Sequence, residues 1–174
     1  MRRHVALTGF MAAGKSTIGK KLARKLKVAF FDVDDFVVEH HGPISDIFYA
    51  QGEQAFRRYE HDVIEHIVEE EAPGVIALGG GAVTYDENLK LLKKRTYRVF
   101  IKVPPEQILG RLRRSPRVRP LLGPTPSLQK VRELYTQRMP TYAHADLVVE
   151  ADGMSTAQIV EHIVEWLHKK NIEL

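Results

Sequence analysis

The 174-residue chain contains no cysteine. A disulfide framework and a thiolate zinc site are therefore excluded. No segment is apolar over the length of a membrane span. The opening MRRHVALTGFMAAGK places an apolar run after basic residues, but the run is too short for a secretory signal core and breaks on glycine. There is no internal repeat, no low-complexity tail and no composition shift that calls for a second domain. The eight histidines lack metal-site spacing: His40 and His41 are adjacent, His61 and His66 lie five apart on an acidic helix, and His162 and His168 flank the terminal helix. No structural metal site is expected from them.

What remains is an ordinary soluble composition, 44% hydrophobic and 28% charged. One domain spanning 1–174 is expected, long enough to bury about two thirds of its unfolded surface. A cytoplasmic enzyme is the simplest expectation. The formal net charge of +4 suits an anionic ligand without requiring one. The excess is local: Arg111, Arg113, Arg114, Arg117 and Arg119 fall within GRLRRSPRVRP, 110–120. An arginine cover over phosphates and a nucleic-acid contact are both readings of such a run. It sits beside a candidate lid and carries no recognition motif, so no nucleic-acid partner is expected.

The pattern predicts strands at 4–8, 28–34, 74–78, 98–103 and 146–151. Between them it predicts helices at 15–26, 35–41, 44–50, 52–71, 86–94, 104–114 and from 128 to near Pro140, with a closing helix over 155–170 capped by Ser155. Alternating strands and helices argue for a mostly parallel sheet of five strands with helices on both faces. Residues 115–127 hold four prolines and a glycine and form the one long irregular stretch, as lids do. The surface helices show no long heptad, so a monomer is the expectation.

Gly9-Phe10-Met11-Ala12-Ala13-Gly14-Lys15-Ser16 fits G-x-x-x-x-G-K-[ST] between a predicted strand and a predicted helix. In that context backbone N–H groups turn inward around an anion, the helix N-terminus adds positive potential, Lys15 reaches the β- and γ-phosphates and Ser16 offers its hydroxyl to magnesium. Thr17 either touches the α-phosphate or packs the first helical turn. FFDVDDF then supplies acid at the end of the second strand. On a strand beside the first, Asp32 and Asp34 would share a face and enter the crevice at the sheet's C-terminal edge. Asp32 is the candidate for holding a magnesium water, and Asp34 for orienting a substrate hydroxyl and taking its proton. Asp35 reads as a cap or surface residue.

Of the adjacent Arg57 and Arg58, one can enter a site, because neighbouring helical residues face different ways. Glu60, three residues on, could steady Arg57, and a bidentate arginine suits a substrate carboxylate. Gly79-Gly80-Gly81 suggests either a close backbone approach to a ligand or a tight turn. Arg138 could supply a second guanidinium beside the phosphoryl group.

The chain resembles the shikimate kinases, through GFMAAGKSTIG, DVDDFVVE, GEQAFRRYE, LGGGAV, RPLL and YTQRMPTY, in that family's order and over nearly its whole length. The resemblance implies a three-layer α/β/α fold of the P-loop nucleoside-monophosphate-kinase type. It implies Mg2+-dependent transfer of the ATP γ-phosphoryl group to the 3-hydroxyl of shikimate. By resemblance Ala12, Ala13, Gly14, Lys15, Ser16 and Thr17 form the nucleotide loop, and Ser16 and Asp32 serve the metal. Asp34 binds the shikimate hydroxyls and acts as base. Arg57 and Arg138 grip the shikimate carboxylate, which moves Arg138 away from the phosphoryl group. Gly80, between Gly79 and Gly81, contacts shikimate, Phe48 and Phe56 form an apolar wall, and Glu60 steadies Arg57. Arg119 of RPLL is the lid arginine on the ATP phosphates.

Arg111 corresponds to the arginine over adenine, with Arg113 and Arg114 competing for that role because the local run is about one residue longer than usual. The shikimate-binding subregion is expected at about 33–61 and the lid at about 112–126. Many relatives carry glycine where Ala12 stands; alanine fits there if its backbone dihedral is ordinary. The competing functions are a kinase of another sugar acid such as gluconate, and a non-catalytic nucleotide- or RNA-binding protein.

Overall fold

The computed structural model describes residues 3–117 and 119–174, so positions 1 and 2 of the expected domain and position 118 of the expected lid lie outside the described residues. Five strands form one sheet: β1 (His4–Thr8), β2 (Ala29–Asp32), β3 (Gly74–Ala77), β4 (Thr96–Lys102) and β5 (Leu147–Glu150). Their order is β2-β3-β1-β4-β5 and every pairing is parallel. The helices are α1 (Lys15–Leu26), α2 (Val33–His41), α3 (Ile44–Gln51), α4 (Glu53–Glu70), α5 (Asp86–Arg95), α6 (Pro105–Arg114), α7 (Leu128–Tyr142) and α8 (Thr156–Lys169). They cover both faces of the sheet, giving three α/β/α layers of the P-loop nucleoside-monophosphate-kinase type.

The central strands read as unbroken apolar runs because parallel sheets are covered on both faces. Val5, Ala6, Leu7, Val75 and Ile76 are fully buried. Helix α1 packs against α8, with Ile18 and Leu22 on its buried face. Ser155 caps α8 as expected and closes a full capping box with Gln158.

Register sets the site. Leu7 pairs with Ala77, and Ala77 with Asp32. The C-terminal ends of β1, β3 and β2 are therefore level, and each runs directly into a candidate segment: the phosphate loop, the glycine triplet and the acidic turn. Three expectations need correction. Strand β2 is not beside β1, because β3 lies between them. The strand also ends at Asp32, earlier than the expected Asp34. Asp32 has extended backbone angles (φ −106°, ψ 112°) and accepts from the Asp34 and Asp35 amides, which makes it the N-cap of α2. Asp34 thus belongs to the first helical turn, and of its two readings Asp35 is the exposed surface residue and not the cap. Finally, α7 runs through Pro140 to Tyr142. The N–H that Pro140 lacks costs the ladder one bond, and the helix ends two residues later.

Candidate active site

A cleft of about 510 Å³ opens above the ends of β1, β2 and β3. Its floor is the phosphate loop. Gly9 has φ +146° and Gly14 φ +93°, and a side chain at Gly9 would strike the Ile101 carbonyl at 2.7 Å. Both glycines of the motif are thus conformational requirements. Ala12 departs from expectation: its φ is +61°, in the left-handed region, rather than an ordinary value. The carbonyl of Ala12 accepts from Arg111 Nη1 at 3.1 Å.

Helix α1 begins at Lys15 with no side-chain cap on its first amides, and Gly14, Lys15, Ser16 and Thr17 line the cleft. Lys15 is buried and folds back on its own loop, donating to the Gly9 and Phe10 carbonyls at 2.7 and 2.9 Å. Burial lowers its pKa to about 8, while the charge of Asp34 opposes the shift. The Ser16 hydroxyl donates to the Asp32 carboxylate across the gap between α1 and β2. Asp34 lines the same cleft. Burial, then the neighbouring Asp32 charge, raises its carboxyl above the usual range, with Lys15 acting the other way.

The far wall is built from α4 and α7. Arg57 is buried and Arg58 exposed, so one of the pair enters, as helical geometry required. Arg57 Nη1 donates to Glu60 Oε2 at 2.6 Å, and Nη2 reaches Glu53 at 3.4 Å. Burial alone would lower the Arg57 pKa; the Glu60 charge and hydrogen bond overcome that and raise it. Glu60 is 0% exposed, and burial lifts its pKa to about 7 despite Arg57. Its Oε1 has no partner among the described residues. Arg138 is buried beneath the cleft with its guanidinium 5.6 Å from the Phe10 ring, and its Nη1 is likewise unpartnered among the described residues. Phe48 and Phe56 meet at 5.1 Å along one side.

The glycine triplet is explained by this wall. A β-carbon on Gly79 would run into Glu60 Oε1 and come within 3.1 Å of Asp34 Oδ1. On Gly80 it would meet the Met11 amide nitrogen at 3.0 Å and Arg138 Nη1 at 3.3 Å. On Gly81 it would lie 2.8 Å from Arg57 Cζ. None of the three has positive φ. Space for charged side chains, rather than backbone freedom, demands glycine here.

Arg119, in the irregular segment between α6 and α7, lines the cleft, and its Nε is buried without a partner among the described residues. Burial and the nearby Arg117 charge lower its pKa. Arg117 also lines the cleft and lies 3.9 Å from Asp35. Thr17 is exposed at the rim. Two candidates do not line the cleft: Ala13, buried inside the loop, and Arg111, beneath Ala12. Arg113 and Arg114 are exposed at the end of α6, whereas Arg111 is the one packed against the loop.

Sequence reasoning missed Tyr142. Its hydroxyl donates to the Gly80 carbonyl, and its ring stacks 4.9 Å from Phe100. The signal was its place four residues after Arg138, one helical turn, which the expected stop at Pro140 concealed.

The family model described as "Shikimate kinase" matches residues 11–168. A shikimate kinase of Thermus thermophilus is 41% identical over 167 residues, covering 94% of this chain and 90% of its relative. The solved shikimate kinase from Acinetobacter baumannii in complex with shikimate superposes with a TM-score of 0.91 at 32% identity, covering 99% of this chain and 97% of that one. The solved shikimate kinase from Aquifex aeolicus gives a TM-score of 0.83 at 35% identity, covering 97% and 98%.

Proposed function

This chain belongs to the shikimate kinase family, and from that premise we propose that it moves the γ-phosphoryl group of ATP to the 3-hydroxyl of shikimate. One observation carries the reading. Two buried guanidiniums, Arg57 and Arg138, converge on Gly81, with Asp34 and the phosphate loop in the same cleft. Such a cleft accepts an alcohol that also bears a carboxylate, next to a nucleotide's terminal phosphate.

In this proposal Arg57 and Arg138 bind the acceptor carboxylate, and the Gly79–Gly81 backbone and the Phe48–Phe56 pair bound the ring. Asp34 holds the acceptor hydroxyl and takes its proton as the phosphoryl group arrives. Burial raises the Asp34 pKa, which makes its carboxylate a better proton acceptor. Lys15 exchanges its two loop carbonyls for phosphate oxygens. Arg119 descends with the lid, about 112–126, to neutralise the transferring group and exclude water. Residues about 33–61 supply the acceptor side. Ala12, Ala13, Gly14, Ser16 and Thr17 hold the nucleotide, and Arg111, packed against the same loop, serves its adenine end.

Mg2+ fits the donor set. It takes hard oxygens, keeps several waters and needs one or two protein ligands beside substrate phosphates. The Ser16 hydroxyl and Asp32 carboxylate already converge at the loop. When bound there, the ion supplies positive charge to the β- and γ-phosphates.

The test is ADP release from ATP with shikimate, with gluconate and with no acceptor. Release is expected to depend on shikimate and to fall by about 10²-fold or more in Asp34→Asn. No acceleration by shikimate overturns the reading, and faster turnover of gluconate reassigns the acceptor.

A further inference from the structure

Every carbonyl of the turn from Gly79 to Ala82 is hydrogen-bonded, two of them by side chains of α7 and α5. The Gly79 carbonyl accepts from the Ala82 amide at 3.1 Å. The Gly80 carbonyl accepts from the Tyr142 hydroxyl. The Gly81 carbonyl accepts from the Thr84 amide at 3.0 Å and the Thr84 hydroxyl at 2.6 Å. The Ala82 carbonyl accepts from Asn88 Nδ2 at 3.0 Å.

Asn88 is fully buried in the first turn of α5. Its amide nitrogen is committed to Ala82, so its oxygen is an acceptor, and it lies 2.7 Å from His61 Nδ1. His61 Nδ1 therefore carries the proton. His61 follows Glu60 on α4 and stands one turn after Arg57. The same helix thus presents Arg57 to one side of the turn and, through His61 and Asn88, fixes the other.

We propose that Tyr142 and Asn88, the latter held by His61, are positioning residues: they clamp the glycine turn so that its backbone fits against Arg57 and Arg138. A trans peptide sets its N–H opposite its carbonyl. Tying the Gly80 carbonyl to Tyr142 turns the Gly81 N–H to the opposite side. Gly80 also abuts the Met11 amide of the phosphate loop. The clamp consequently sets the distance between the acceptor's carboxylate pocket and the nucleotide. Neither side chain lines the cleft.

The inference rests on the proposed acceptor chemistry, and wild-type activity is measured first so that the two fail separately. Shikimate-independent wild-type turnover overturns the function; the following outcomes judge the clamp. Tyr142→Phe keeps the ring on Phe100 and deletes one hydroxyl, which serves both the Gly80 carbonyl and Arg138, so Asn88→Ala, which leaves Arg138 untouched, is the variant that isolates the clamp. It is expected to raise KM for shikimate about three- to tenfold, the loss of one hydrogen bond to a buried carbonyl. ADP affinity, read by calorimetric titration, stays within about twofold. Asn88→Ala is expected to do the same. His61→Ala raises KM, and His61→Gln, which restores a donor to Asn88, returns it toward wild type. An unchanged shikimate KM overturns the proposal. So does a parallel loss of shikimate and ADP affinity, which marks general damage to the fold.

Discussion

The guanidinium of Arg57 fills the space that a side chain on Gly81 would need: an added β-carbon would lie 2.8 Å from Arg57 Cζ and 3.1 Å from Arg138 Nη2. The backbone at 81 is ordinary, with φ −108°, so alanine is strained there only by crowding. Gly81→Ala is expected to displace the arginine pair at a cost of about 1–3 kcal/mol. In steady-state kinetics that appears as a shikimate KM about tenfold or more above wild type. ADP affinity should hold. A KM equal to wild type would show that the acceptor does not rely on these guanidiniums.

Ala12 makes the opposite prediction. It holds φ +61° without being glycine, which costs about 1–2 kcal/mol. Glycine relieves that strain and returns part of the gain through a more flexible unfolded chain. Ala12→Gly is expected to stabilise the protein by about 0.5–1 kcal/mol, raising Tm by about 1–4 °C. Thermal unfolding checks it; a lower Tm means that the added freedom of the unfolded chain outweighs the relieved strain.

Fold class and the loop between β1 and α1 were legible because they depend on local pattern. The apolar runs gave the parallel strands, and two glycines, a lysine and a serine at fixed spacing gave the strand–loop–helix turn. Long-range order was not legible: nothing in FFDVDDF says that β3 intervenes between β2 and β1. Asp34 was placed on a strand because alternation continues through Val33, whereas Asp32 capping its own successor decides for helix. The Arg57–Glu60 pair was readable from three-residue spacing, but its burial was not, since it depends on α7 bringing Arg138 to the same wall. The triplet of glycines was visible as a motif, yet its cause, crowding by Glu60, Arg57 and Arg138, exists only once three distant segments meet. Asn88 gave no signal, because a polar residue near a helix start ordinarily faces water.

Lys15 predicts the pH dependence of nucleotide binding. Burial holds its pKa near 8 in the free enzyme. Above that pH the ammonium loses its proton and its attraction for phosphate. Phosphate binding restores the proton by linkage. The apparent Kd for ADP is expected to rise about fivefold between pH 8 and pH 9, and about tenfold per unit beyond, in calorimetric titrations. Lys15→Arg binds differently in absolute terms but should lack this step, because guanidinium stays charged. A wild-type profile as flat as the variant's would rule out Lys15 as the titrating group. In stability the sign is also fixed: between about 8 and 10.5 the unfolded chain binds the extra proton, so this group favours folding more as pH rises.

His4 governs the acid side of stability at the opposite end of β1. It is 0% exposed, pairs in register with Thr96, and neither ring nitrogen has a partner among the described residues. Burial, then the Arg3 charge, lowers its pKa below 6.5, with Glu71 opposing. As pH falls below 6.5 the unfolded chain takes up a proton that the folded one refuses, so stability drops by up to about 1.4 kcal/mol per pH unit until the folded pKa is reached. Glu60 works against this trend: its folded pKa near 7 lies above 4.5, so that group loses stability as pH rises across the same window. Asp34, also raised, acts in the direction of Glu60, so the wild-type slope mixes all three, and a variant separates His4 from the carboxyls. His4→Leu keeps β1 apolar and removes two unpaired polar atoms. Urea unfolding from pH 5 to 8 should show it more stable than wild type by about 1–3 kcal/mol at neutral pH. The difference should widen as pH falls below 6.5. Because Glu60 and Asp34 are unchanged in both proteins, their contributions cancel, and a pH-independent difference would mean that His4 titrates alike in the folded and unfolded chains.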